Sequence, residues 1–293
     1  MKKIIVGVTS IFLLLGCKND SQKETPIEDG EIKTSQVIDS IEVTQNEKDI
    51  QQLENIEFKR KELIKKPDEK QQLEKLLVDK DFYKESDFYV LDFQYPYLNE
   101  NLKPTYVNFN EYISKKYLNV KEVEAQILED KELLCDTLRI HQTREKRIVN
   151  YKIYNVNEQL VSVLFYKENY YSGAMHPSFT FDCLNFDLER GVFMKYEDFF
   201  NEGSEEELRK IVNETIFEKV KTGELFYDCW EVTQDDFFKY KNNFVVDDHS
   251  VEFYFEDCVI CPAYTGEYSI VVPLEKLLPV LRRYNLNPLK ASL

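Results

Sequence analysis

Cys258 and Cys261 stand three positions apart, the spacing of redox dithiols and of paired zinc ligands. A reactive dithiol needs its first cysteine at a helix N-terminus, where the thiol pKa falls, whereas Cys261-Pro262 leads toward a loop and a strand. Disulfides are the expected state outside the cytoplasm. Apart from Cys17, five cysteines remain (Cys135, Cys183, Cys229, Cys258 and Cys261), so at least one is unpaired or bridges chains, and spacing does not assign the pairs. His141, His176 and His249 are far apart in sequence and none belongs to a His-x-x-x-His pair. Asp247-Asp248-His249 reads as a polar turn, so neither a metal site nor a cofactor is expected. His176, between a Gly173-Ala174 turn and Pro177, has the chemistry of a ligand contact or a general base. In a tight turn such a histidine more often holds the hairpin through backbone hydrogen bonds. Asp187 is the nearby carboxylate that an enzymatic reading, a cell-wall hydrolase or deacetylase-associated enzyme, would pair with it. Tyr170 and Tyr171 offer either core caps or stacking groups for a sugar or peptide. With no nucleophile elbow, zincin motif, phosphate loop or dinucleotide fingerprint, no catalytic residue is assigned.

Cys17 is different in kind. Lys2 and Lys3 precede an apolar run from Ile4 to Leu15, closed by Leu14-Leu15-Gly16-Cys17. That ending resembles a lipobox, which implies cleavage of a signal peptide at residues 1–16 and acylation of Cys17. The apolar run is well short of the roughly 20 residues that span a bilayer, so the expectation is a cell-envelope protein anchored to a membrane through its N-terminal lipid. Lys18 follows the cysteine where inner-membrane lipoproteins carry aspartate, which in a two-membrane cell points to the outer membrane.

These groups must be positioned by a body of sufficient size. The 293 residues are 43% hydrophobic and 14% aromatic, enough for a sizeable, sheet-rich core. Formal net charge is −16, of which −14 falls on residues 81–293, so nucleic acid is excluded as a partner and a cationic one is electrostatically favoured. Residues 17–44 are polar and read as a disordered tether, and 45–80 as a charged helical spacer broken near Pro67. From 81 onward the pattern predicts a strand over 88–93 interrupted by Pro96 and Pro104, and one helix over 108–132. Strands follow over 133–141, 147–156, 160–170 and 179–188. A helix from Ser204 to Thr222 starts with a Ser204/Glu207 capping box, and Asp236 follows Thr233 as at a helix start. Strands near 251–255 and 268–272 precede a helix after Pro273. Grouped rather than alternating elements predict an α+β fold, an antiparallel sheet with packed helices, in two consecutive subdomains (81–170 and 171–293) forming one body.

The segments Tyr170-Tyr171-Ser172-Gly173-Ala174-Met175-His176-Pro177, Asn185-Phe186-Asp187-Leu188-Glu189-Arg190-Gly191 and Asp198-Phe199-Phe200 resemble the C-terminal domain of RsiV-like anti-sigma factors. A related domain of unknown function also occurs in PdaC, beside a deacetylase domain. Pro262-Ala263-Tyr264-Thr265-Gly266, followed by Tyr268-Ser269-Ile270-Val271-Val272-Pro273, is similar to that family's Pro-Tyr-Ala-x-Gly loop and closing strand. The resemblance implies a non-catalytic binding role for a protein or peptidoglycan partner, with a lysozyme-type hydrolase the specific candidate; beside the enzymatic reading, a structural envelope component is the other alternative. The expected partner-binding residues are Tyr170, Tyr171, His176 and Tyr264.

Overall fold

Between Leu77 and Met194 the chain, rich in β-branched and aromatic residues, forms six strands of a single sheet. They are β1 (Leu77–Glu85), β2 (Tyr89–Leu98), β3 (Glu145–Val156), β4 (Leu160–Tyr170), β5 (Ser178–Asp187) and β6 (Val192–Met194), and they lie in chain order. The structure is a computed structural model and describes residues 75–133, 144–156, 159–172, 174 and 177–282. All of these belong to one compact unit, Gln51–Leu293. The lipobox with Cys17, the tether, the spacer up to residue 74, residues 134–141 of the expected 133–141 strand, and His176 lie outside the described residues.

Five features depart from the sequence reading. The sheet is mixed, because β2 and β3 run parallel while every other pair is antiparallel. A parallel pair needs a long crossover, and the connection here carries two helices, α1 (Val107–Tyr117) and α2 (Val120–Leu133), where one had been expected over 108–132. The break falls at Leu118-Asn119, where Leu118 (φ −114°, ψ 19°) leaves helical geometry. The sheet also continues across residue 170, the expected subdomain boundary, since β4 and β5 pair along their lengths. At the other end β1 starts at Leu77, inside the segment read as spacer. Pro96 does not interrupt β2, because β3 pairs only with Tyr89–Phe93 and leaves that edge of the strand without a partner at Pro96.

One face of the sheet buries Leu91, Phe93, Val149, Ile153, Val163, Phe165 and Phe186 against Phe109, Ile113 and Tyr117 of α1 and Ile127 of α2. The stacked Tyr117 and Phe165 rings, 4.1 Å apart, mark the contact. The other face, with Tyr154, Leu164, Phe179, Phe181 and Cys183, packs on a second, antiparallel sheet of β7 (Phe244–Val246), β8 (Ser250–Tyr254) and β9 (Ser269–Pro273). That smaller sheet is buried on both faces, and the face toward the large sheet includes Glu252, whose carboxylate accepts from Ser269 Oγ at 2.7 Å. Val245 and Tyr254 point to the large sheet. Phe244, Val246, Val251, Phe253, Ile270 and Val272 point to a layer of helices. These are α3 (Tyr196–Phe199), α4 (Glu205–Thr222), α5 (Gln234–Tyr240) and α6 (Leu274–Leu277). Four layers, helix, sheet, sheet and helix, therefore share the burial that defines an α+β body.

Polar staples fix the two sheets together. β6 pairs with only three residues of β5, so much of that strand's outer edge is open. Asn243 closes it: its Oδ1 accepts from Cys183 N (2.8 Å), and its Nδ2 donates to Phe181 O (2.9 Å) and Tyr254 O (3.0 Å). Asn185 Nδ2 donates to Phe244 O, and Val246 N to Ser162 Oγ, both 2.9 Å.

The β5–β6 turn docks on the crossover. Gly191 (φ +68°) closes it by donating to Asp187 O at 2.8 Å, and its own carbonyl accepts from Asn108 Nδ2. Lys103 Nζ donates to Leu188 O and Glu189 O.

Helix α4 begins after Ser204 and ends at Gly223 (φ 79°). The predicted capping box is not formed. Ser204 Oγ instead donates to Asn201 O (2.6 Å) and shares a 2.8 Å hydrogen bond with the buried Tyr196 hydroxyl. Thr233 does cap α5, its side chain accepting from Asp236 N at 3.1 Å. Thr233→Ala is therefore expected to cost about 1 kcal/mol, read as a lower urea midpoint with an unchanged m-value. An unaltered midpoint would show that the cap contributes nothing.

Candidate functional site

Three of the four expected contact residues, Tyr170, Tyr171 and Tyr264, are among the described residues, at the end of one strand and in two turns. Tyr170 ends β4 and Tyr171 begins the turn to β5. Tyr264 lies in a 3-10 turn, Ala263–Thr265, ahead of β9. The strand β5 that follows the first turn packs on Tyr268, just after the second; the Tyr268 ring lies 4.8 Å from that of Phe181 and 6.4 Å from that of Phe179. Tyr170 and Tyr171 are 37% and 44% exposed, so a solvent-facing aromatic pair stands at the hairpin tip.

Charged residues that the sequence reading passed over brace this tip. Arg147, in β3, is buried; its Nη2 donates to the equally buried Glu145 at 2.5 Å and its Nη1 to Tyr170 O at 3.2 Å. The guanidinium lies 4.1 Å from the centre of the Tyr171 ring, a cation–π contact that fixes the ring's inner face. Glu145 Oε1 also accepts from Ser172 N. On the other face of the strand pair, the buried Glu168 carboxylate accepts from the Tyr166 and Tyr170 hydroxyls. Two buried carboxylates and one guanidinium thus hold a pair of tyrosines from below. The available signal was charge at strand positions: Glu145-x-Arg147 and Tyr166-x-Glu168-x-Tyr170 put ionisable groups at alternate places where burial is otherwise apolar.

Asp187, the carboxylate of the enzymatic reading, is engaged locally. Asp187 is spent on the β5–β6 turn, where Oδ1 accepts from Glu189 N and Arg190 N and Oδ2 pairs with Arg190 Nε at 2.6 Å. It ends β5, about 30 Å along the strand from Ser178 and the 171–177 turn. His249 is exposed in the predicted polar turn, where Asp247 Oδ1 accepts from His249 N and Ser250 N.

The Cys-x-x-Cys pair is split: Cys261 bonds to Cys229, and Cys258, also in a disulfide, has a different partner. Cys183 is a free, buried thiol whose pKa burial pushes well above the usual range, which makes it inert as a nucleophile. Between the sheets, Tyr154 and Tyr254 share a 2.7 Å hydroxyl contact, and burial raises both phenols far above their ordinary value. These groups tie layers together.

The described residues define a class, an α+β domain with a mixed six-stranded sheet packed on a three-stranded one and an aromatic pair braced by buried charges. Residues 197–275 match the family described as "Protein of unknown function (DUF3298)". A solved DUF3298 family member from Bacteroides fragilis NCTC 9343 superposes with a TM-score of 0.52, covering 74% of this chain and 96% of that one at 16% identity. One from Pseudomonas aeruginosa PAO1 gives a TM-score of 0.50, covering 72% and 95% at 12% identity. The chain is also similar to the peptidoglycan-N-acetylmuramic acid deacetylase PdaC of Bacillus subtilis (strain 168), 25% identical over 153 residues. That match covers 51% of this chain and 32% of the deacetylase, so the chain spans about a third of its curated relative.

Proposed function

We propose that this chain is a lipoprotein of the cell envelope, tethered through Cys17, whose body is a non-catalytic binding module for a protein or cell-wall partner. A cationic lysozyme-type hydrolase is the specific candidate. The observation that carries the reading is the hairpin tip, where Tyr170 and Tyr171 are presented to solvent and held by buried Arg147, Glu145 and Glu168. A rigid aromatic held by a desolvated charge network has the character of a binding hot spot. The formal charge of −14 over residues 81–293 suits a basic partner, and similarity to an enzyme named for peptidoglycan supports an envelope setting.

Surface plasmon resonance against a c-type lysozyme tests this. Association is expected to slow as salt rises above physiological strength, because charge steering acts on the on-rate. Tyr171→Ala should speed dissociation, at a cost of about 1–3 kcal/mol. Absence of binding at any salt concentration removes lysozyme as the partner, and a complex indifferent to Tyr171→Ala removes the tip. Mass spectrometry of the isolated protein tests the anchor: diacylglycerol on an N-terminal Cys17 is expected, and any other mature N-terminus rejects it.

A further inference from the structure

A second solvent-facing aromatic group lies on α4 and the loop that follows it. Leu225 N donates to Lys219 O near the end of the helix, and the loop then doubles back. Its far end is held by Asn213, which accepts from Val232 N (2.8 Å) and donates to Val232 O (3.1 Å), and by Arg209, which donates to the same carbonyl. Residues 226–231 therefore run antiparallel along the helix row Arg209, Asn213, Phe217. The loop's inner residues are sealed: Leu225 and Val232 are buried, Cys229 is bonded to Cys261, and Trp230 N donates to Ile260 O at 2.8 Å. What remains outside is Phe217, Tyr227 and Trp230, 69%, 87% and 39% exposed.

The charges around these rings are mostly negative. Glu214, Asp228 and Glu231 flank them, none with a cation in ion-pair range among the described residues, and Asp228 Oδ1 is shielded from solvent with no hydrogen-bond partner. Two basic residues stand at the margins, Lys221 one turn beyond Phe217 and Arg209 at the loop's far end, where it feels the Glu231 charge. Open ring faces suit the apolar faces of pyranose rings or a cation, and solvent-accessible carboxylates accept hydroxyl and ammonium protons and repel anions.

We infer that this face docks a glycan strand bearing free amino groups, a polymer of the glucosamine type. The rings stack on successive sugars and the three carboxylates meet the ammonium groups. The loop is fixed at both ends before the ligand arrives, so little ordering entropy is lost on binding. The surface is distinct from the β4–β5 tip and stands or falls independently of it.

Trp230 is the one tryptophan of the chain, so its emission reports on this face alone. Titrating the full chain with a glucosamine hexamer should change that emission saturably, and calorimetry should give the same Kd. Tyr227→Ala, at a position 87% exposed where folding is not at stake, should weaken binding about tenfold. Asp228→Asn with Glu231→Gln should weaken the glucosamine hexamer while leaving an N-acetylglucosamine hexamer unaffected. Equal binding of the acetylated hexamer overturns the amino-sugar assignment. Tighter binding of an octalysine peptide assigns the face to a basic polypeptide and overturns it as well. No emission change, or a complex insensitive to Tyr227→Ala, removes the site.

Discussion

Gly191→Ala is expected to destabilise the protein by on the order of 3 kcal/mol, combining two separable costs. At φ +68° an L-residue is strained by about 1–2 kcal/mol. A Cβ added there would also sit 2.4 Å from Thr105 Cβ, a contact that no real pair of carbons makes, so the β5–β6 turn and the Pro104–Tyr106 turn would have to separate. Overpacking of this kind costs about 1–3 kcal/mol. Gly203 supplies the control: its φ is +78°, yet a Cβ there meets nothing within 4 Å. Urea denaturation of Gly191→Ala and Gly203→Ala should therefore give clearly different losses, with the excess belonging to the clash. Equal midpoint shifts would mean that the turn does not press on the crossover.

Removing Glu145 should be more damaging still. Its carboxylate and the Arg147 guanidinium are both buried, so Glu145→Ala leaves an unpaired charge inside the protein, at a cost of about 3–5 kcal/mol. Glu145→Gln keeps an acceptor for Arg147 and for Ser172 N and is expected to lose much less. The same change loosens the support beneath Tyr171, so amide exchange at Ser172 should quicken in the Ala variant before global unfolding. If the Ala and Gln variants prove equally stable, the pair is not the buried brace that its geometry indicates.

Periodicity made much of this body legible. The run of β-branched and aromatic residues with Val161, Val163 and Phe165 at alternate places located β4 at its observed limits, Leu160–Tyr170, a strand buried on both faces over its first six residues. Thr233 with Asp236 located a helix start for a local reason, since the two groups that bond are three residues apart. The parallel β2–β3 pairing was hidden because it joins Tyr89–Phe93 to Glu145–Val149 across two helices, and nothing local records such a partnership. Ser204 shows that motif and contact can part: the residues of a capping box are present, yet the Tyr196 hydroxyl, brought in by the tertiary fold, claims the side chain. At the hairpin tip the tyrosines were visible as types, whereas the brace was not, because Arg147 and Glu145 read as ordinary strand charges until burial shows they face inward. The Cys-x-x-Cys spacing misled in the opposite direction, since adjacency in sequence did not decide which sulfurs bond.

The outer strand of the large sheet carries a consequence for how these molecules coexist at high density. β1 is a nine-residue edge, and among the described residues no strand lies on its far side. A bare edge of that length is a template for another chain, the first step toward fibrous aggregation. Here the strand reads Leu-Val-Asp-Lys-Asp-Phe-Tyr-Lys-Glu, with five charges of both signs, and all but Leu77 and Phe82 exposed. A neighbouring strand could join this edge only by stripping water from those ammonium and carboxylate groups. Crowded copies of the protein are thereby kept from polymerising sheet to sheet, while their tyrosine and tryptophan faces stay free for other encounters.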